Sequence, residues 1–171
     1  QTPRMAAPGG APVSAGLSLP CPVSAIGEAY SQAVQALQFR LVRGSGCLVT
    51  YSPDLDASAS LQDYPSAQME QLQWYLLQAD AENAGKILHR ILGSLQEGQV
   101  SFNFARMVCF DVVNMTVRTL NTGRDSRSAP AVQPEMLEQL ISFDTVPELI
   151  DLLVKRITTE VENVNRVLYD L

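Results

Sequence analysis

Apolar residues recur at steps of three and four along most of this chain, in runs separated by stretches dense in Ser, Pro, Gly and Asp. Ile26, Tyr30, Ala33, Leu37 and Leu41 predict one helix face, with Ser24 as its N-cap and Gly44 or Gly46 as its stop. Two short apolar runs flank it. "VSAGLSL" at 13–19 predicts a strand that Pro20 and Pro22 terminate, and "CLVTY" at 47–51 predicts a second strand before Pro53. The opening segment therefore predicts strand, helix, strand.

From residue 66 onward the period is helical throughout. Ser66 opens a helix carrying Met69, Leu72, Leu76 and Leu77, and Asp80 is the expected cap of the next. That helix carries Ala84, Ile87, Leu88, Ile91, Leu92 and Leu95 and ends at Gly98. A third, at about 103–121, carries Phe104, Met107, Val108, Val112, Met115 and Leu120, and a short one is expected at 134–141. Thr145 and Glu148 form a T-x-x-E capping box with Pro147 in the first turn, so a last helix starts there and runs to the chain end.

In that last helix Ile150, Val154, Ile157, Val161, Val164, Leu168 and Leu171 alternate steps of four and three, the spacing of a two-helix coiled-coil seam. Leu149, Leu152 and Leu153 widen the early face, which predicts docking on the chain's own helices. After Val161 the stripe narrows, with Glu160, Glu162, Asn163, Asn165 and Arg166 polar around it. Val161, Val164, Leu168 and Leu171 are thus the candidate dimerisation and relay residues, and a homodimer is the expected assembly.

These patterns give an α+β fold, predominantly α. A flexible leader spans 1–11, a strand-helix-strand unit 12–55, a linker 56–65, and a helical domain 66–171 that ends in a long connector helix. The chain has 171 residues, 46% of them hydrophobic, which is enough for a core.

The net charge is -6, and Lys86 and Lys155 are its two lysines. An acidic chain with scattered arginines is a poor partner for a phosphate backbone. Residues 5–27 carry no charge, but Pro8, Pro12, Pro20 and Pro22 interrupt them, and no continuous apolar run there is long enough to span a bilayer or serve as a signal peptide. Cys21, Cys47 and Cys109 lie far apart without C-x-x-C spacing, which argues against zinc and thiol-redox motifs and for free, buried thiols in a reducing cytoplasm.

The search for reactive groups yields little. His89 is the single histidine and has glycine at both i-4 and i+4, so it reads as structural. "AGKI" at 84–87 lacks the upstream glycine and the following Ser or Thr of a phosphate loop. Asp54 with Asp56 and Asp80 with Glu82 sit at loops and helix starts, where acids cap and solvate. Arg118, Arg124 and Arg127 read as cations near a helix C-terminus rather than as an anion site, and Trp74 with Tyr75 as core and rim. The expectation is no enzyme, no catalytic residue, no metal ligand and no cofactor.

One resemblance is carried by "VSAGLSL…VSAIGEAYSQAVQALQFRLVRGSGCLVTY". Through Glu28, Ala29, Tyr30, Ala33, Ala36, Leu37, Gly44 and Tyr51 it resembles the C-terminal part of the degenerate GGDEF-like domains of bacterial AraC-type (YesN-like) transcription regulators. The family order SY-x-EA departs here to GEAYSQA. "YPSAQMEQLQWYLLQADAENAGKILHRIL" and "FARMVCFDVVNMTVRTLN" look like the helices that follow that domain, and "LISFDTVPELIDLLVKRITTEV" like the helix before the AraC DNA-binding helices. The resemblance spans about 12–171. It implies a cytoplasmic, non-catalytic region of a regulator, itself soluble or membrane-anchored. That region would dimerise and link an input domain to DNA-binding helices outside this chain. DNA would be met only through those helices, and this region would make no direct membrane contact. Two other readings stay open: a small-ligand sensor with a pocket among the helices at 66–121, and a degenerate nucleotide-binding remnant.

Overall fold

The computed structural model describes residues 10, 12–56, 64–97, 100–122, 138 and 142–169, with the helical backbone alone for 161–169. The fold is α+β and predominantly helical. In order come β1 (Ala15–Leu17), α1 (Ile26–Gln38), α2 (Arg40–Arg43), β2 (Leu48–Thr50), α3 (Ser66–Leu77), α4 (Ala81–Glu97), α5 (Phe102–Thr122) and α6 (Val146–Tyr169). The short helix expected at 134–141 lies outside the described residues, apart from Glu138.

β1 and β2 pair in parallel with Gly16 opposite Val49, and α1 makes the crossover between them. Both strands are shorter than the apolar runs predict. The ladder continues just beyond them, with the Ala15 N–H donating to the Cys47 carbonyl and the Tyr51 N–H to the Leu17 carbonyl. Gly16 faces α1 at very close range: a Cβ there would lie 2.0 Å from the Ala33 carbonyl oxygen. The helix sits this near the strand because its inner face is small.

The predicted inner face holds at Ala33, Leu37 and, in α2, Leu41, but fails at the start of α1. Ile26 and Tyr30 are 70% and 72% exposed, while Ala36 is fully buried and Ala29 and Ala33 are partly so. Ser24 is not the cap either: it lies in a 3-10 turn, Val23–Ala25, and the helix enters without a side-chain cap. Period identified the helix; the strand beneath it, which admits only small side chains, decided which side turned inward.

Phe39 breaks the helix between α1 and α2, and the chain beyond it joins a different core. Ala36, Phe39, Cys47 and Val49 form a small cluster, whereas Leu41 and Val42 belong to the large core of α3 to α6. Phe102 packs against both clusters, its ring 6.4 Å from that of Phe39.

In the large core α4 packs on α2, α3, α5 and α6. All six of its predicted apolar positions, Ala84 to Leu95, are buried. Asp80 caps it as expected, accepting from the Asn83 N–H at 3.0 Å. Ser101 caps α5 in the same way, accepting from the Phe104 N–H at 3.1 Å. The α3–α4 junction closes on Ala79 at φ 54°, with the Asp80 N–H donating to the Tyr75 carbonyl, the helix-ending geometry that glycine favours. In α3, Leu72 and Leu76 are buried while Leu77 is 57% exposed, so the predicted face narrows.

Gly16 and Ala79 make a matched pair of tests. Gly16→Ala forces the strand off the helix and is expected to cost about 3 kcal/mol, read from the denaturant midpoint. Ala79→Gly relieves the left-handed residue and is expected to gain about 1 kcal/mol. Equal or reversed signs would contradict the backbone geometry at both places.

Candidate functional site

The chain's described surface concentrates its unusual features at two places. One is the β1–α1–β2 unit, whose open sheet face and outer α1 row lie on opposite sides. Val13, Leu17, Leu19, Val23, Ile26, Tyr30 and Val34 are all large, apolar and exposed, and only Trp74 and Leu77 match them elsewhere among the described residues. Val13, Leu17 and Leu19 share strand parity, opposite to Gly16, so they lie on the sheet face that α1 leaves uncovered. A two-stranded parallel sheet is ordinarily covered on both faces, and here one face and the outer edges stand open among the described residues.

The second place is the joint between that unit and the helical core. Arg40, at the start of α2, forms an ion pair with Asp144, a residue 104 positions away that lies just before α6. Asp144 is tied to α6 as well. Its N–H donates to Glu148 at 2.9 Å, and the Glu148 N–H donates to the Thr145 hydroxyl at 3.4 Å. The predicted capping box therefore forms with one change: its return bond reaches back to Asp144 instead of Thr145. The pair is half exposed, so its contribution to stability is small, about 0–1 kcal/mol. Its value is positional, because it joins α2 to the root of the longest helix.

A cavity of about 230 Å³ opens beside this pair. Arg40, Phe102, Arg106, Phe110, Phe143 and Asp144 line it. The Arg106 guanidinium lies over the Phe110 ring, 5.4 Å from its centroid, and the Phe110 and Phe143 rings are 6.1 Å apart. A second cavity, of about 310 Å³, lies between α3 and α4 beside Trp74 and Tyr75. Trp74, expected as core or rim, is 57% exposed and meets Tyr75 edge-on at 5.0 Å.

The residues weighed earlier do not converge. His89 is exposed and bonds the Gly85 carbonyl at 2.8 Å. Lys86 of "AGKI" pairs with Glu82 at 2.6 Å, which holds its ammonium above the usual range. Asp80 is held below the usual carboxylate range by the Asn83 side-chain and backbone bonds. Asp54 and Asp56 lie in a 3-10 turn, Pro53–Asp56. Arg124 and Arg127 lie outside the described residues. Among the described residues no group of three His, Cys, Asp or Glu is placed to hold a metal, and no helix is long and apolar enough to cross a membrane.

The relay residues meet the structure only in part. Along α6, Val146, Leu149, Ile150, Leu153 and Ile157 are buried, so the first half docks on the core as predicted. Val154, taken as a seam position, is only partly buried. Glu160, expected on the polar side, is 5% exposed and pairs with Arg156 at 2.6 Å. The buried row thus keeps the seam positions Ile150 and Ile157 but passes through Leu153 and Glu160 in place of Val154. The side chains of Val161, Val164 and Leu168, and all of Leu171, lie outside what is described.

The expected burial of all three thiols holds for Cys47 and Cys109, while Cys21 is exposed. No protein family, curated protein or solved structure matches this chain.

Burial pushes the Cys109 thiol up to about 12, and desolvation with the Asp111 hydrogen bond raises Tyr64 to about 12. Both groups hold their protons more tightly folded than unfolded. Stability is therefore complete below pH 9, where the unfolded thiol begins to ionise, and falls as pH rises toward about 12. Cys109→Ala is expected to flatten the thiol's part of that fall in urea titrations. A thiol reagent at about pH 8 should modify Cys21 alone in the folded chain and all three cysteines in denaturant.

Proposed function

We propose that this chain is a non-catalytic signal-relay and dimerisation module of an AraC-type bacterial transcription regulator. It would work in the cytoplasm, between an input domain and DNA-binding helices outside this chain. The observation that carries the reading is the Arg40–Asp144 pair. It connects the β1–α1–β2 unit to the root of α6 across 104 positions of sequence. The path has three physical steps: α1 continues through Phe39 into α2, Arg40 holds Asp144, and Glu148 ties Asp144 to the first turn of α6.

Three further features support it. The uncovered sheet face supplies an apolar surface on which an input domain can seat, and the exposed row of α1, on the opposite side of the unit, supplies a second. The residue pattern of 13–51 supports a GGDEF-like origin for that unit. At the other end the Val161, Val164, Leu168 and Leu171 spacing supports pairing of α6 with a second copy. A shift of the β1–α1–β2 unit would pass through Arg40 to the α6 root and change how the paired ends present the DNA-binding helices.

The test has two arms. Val164→Asp with Leu168→Asp puts charge into the seam and is expected to weaken self-association in sedimentation while the helical signal is kept. An unchanged association state sinks the dimerisation half. Arg40→Gln is expected to speed amide exchange in the first turn of α6 and leave α4 unaffected. Identical exchange in that turn sinks the relay half.

A further inference from the structure

The cavity at the joint has the composition of a binding site. Among the described residues no carboxylate pairs with Arg106. It stands over Phe110, and this contact orients the guanidinium without using its N–H donors. Arg40 has one carboxylate partner, Asp144, which is 61% exposed and so open to exchange. The remaining walls are Leu41, Phe102, Phe110 and Phe143, with the polar Gln38 beside them. Two cations and one anion leave one positive charge uncompensated, on a chain whose net charge is -6.

We propose that this cavity binds a small aromatic carboxylate, a single ring bearing one acidic group. Each element of the site selects for part of that description. The one uncompensated charge matches a monoanion. A free guanidinium fork matches a carboxylate, which it holds by two parallel hydrogen bonds. Three phenylalanine rings match a flat apolar body, through offset or edge contacts. At about 230 Å³ the space is small for a binding pocket and accommodates one ring. A phosphate fits less well, since a second charge would find no second free cation and the walls are apolar.

The ligand's carboxylate would lie between Arg106 and Arg40 and compete with Asp144 for Arg40. Displaced from Arg40, Asp144 keeps only its bonds at the α6 entry. Occupancy would then be felt at the first turn of α6, and this coupling step rests on the relay reading above. Binding itself does not.

The experiment titrates the whole chain with benzoate and phenylacetate, reading amide shifts and heat. Benzyl alcohol, which has the ring without the charge, and acetate, which has the charge without the ring, serve as controls. The aromatic acids are expected to bind at about 1 mM or tighter, and the controls are not. Arg106→Gln is expected to weaken binding roughly ten- to a hundredfold without moving the unfolding midpoint, since Arg106 is exposed. Phe143→Ala should weaken it as well. The proposal is overturned if neither aromatic acid binds, if acetate binds equally well, or if Arg106→Gln binds like the parent chain. Binding accompanied by amide shifts at 144–148 supports both site and coupling. Binding that leaves 144–148 unmoved supports the site and counts against the relay path, so the two ideas fail separately.

Discussion

The burial of α4 is the constraint on which the rest depends. Leu88 and Leu92 are fully buried and Ile91 is 1% exposed. Each such side chain contributes about 1.5–3 kcal/mol on leaving water. The helix can bury this much only because α2, α3, α5 and α6 surround it. Its polar face keeps Glu82, Lys86 and Arg90 in solvent, which fixes its rotation. Once α4 is placed, α3 is set by the tight turn at Ala79 and α6 by the apolar row from Val146 to Ile157.

The β1–α1–β2 unit is held by different means. Its own core is four residues, so it cannot resist much displacement by burial alone. Leu41 and Val42 of α2, buried in the large core, Phe102, shared by both clusters, and the Arg40–Asp144 pair attach it to the helices. A core this small suits an element that shifts in response to a partner, pivoting where α2 enters the large core, and the uncovered sheet face suits one that a partner covers. Both properties underlie the proposed relay and place the aromatic cavity where a ligand could bias it.

The largest elements were legible because their determinants are local. The α4 face, the Asp80 cap and the T-x-x-E start of α6 each depend on residues within a few positions of one another. Readings that depended on a distant neighbour fared worse. Ile26 and Tyr30 satisfy helical period as well as Ala29, Ala33 and Ala36 do, and nothing local reveals that Gly16 lies against the alanine side. Glu160 has the character of a surface residue, yet Arg156 one turn earlier lets it be buried. Ser101 carried a readable signal, a serine opening an apolar periodic run, which the boundary near 103 passed over.

Period, turn chemistry and caps determined by themselves that this is a helical chain with one small strand-helix-strand unit, because those signals act within a turn or a strand pair. Tertiary structure alone decided which face of α1 turned inward, that Arg40 would meet Asp144, and that Phe143 would join Arg106 and Phe110. Phe102, Arg106 and Phe110 share one face of α5, and Phe143 comes from the residues before α6. The steps of four that align Phe102, Arg106 and Phe110 are local to α5, whereas the approach of Phe143, Arg40 and Asp144 follows from how separately formed elements settle around α4.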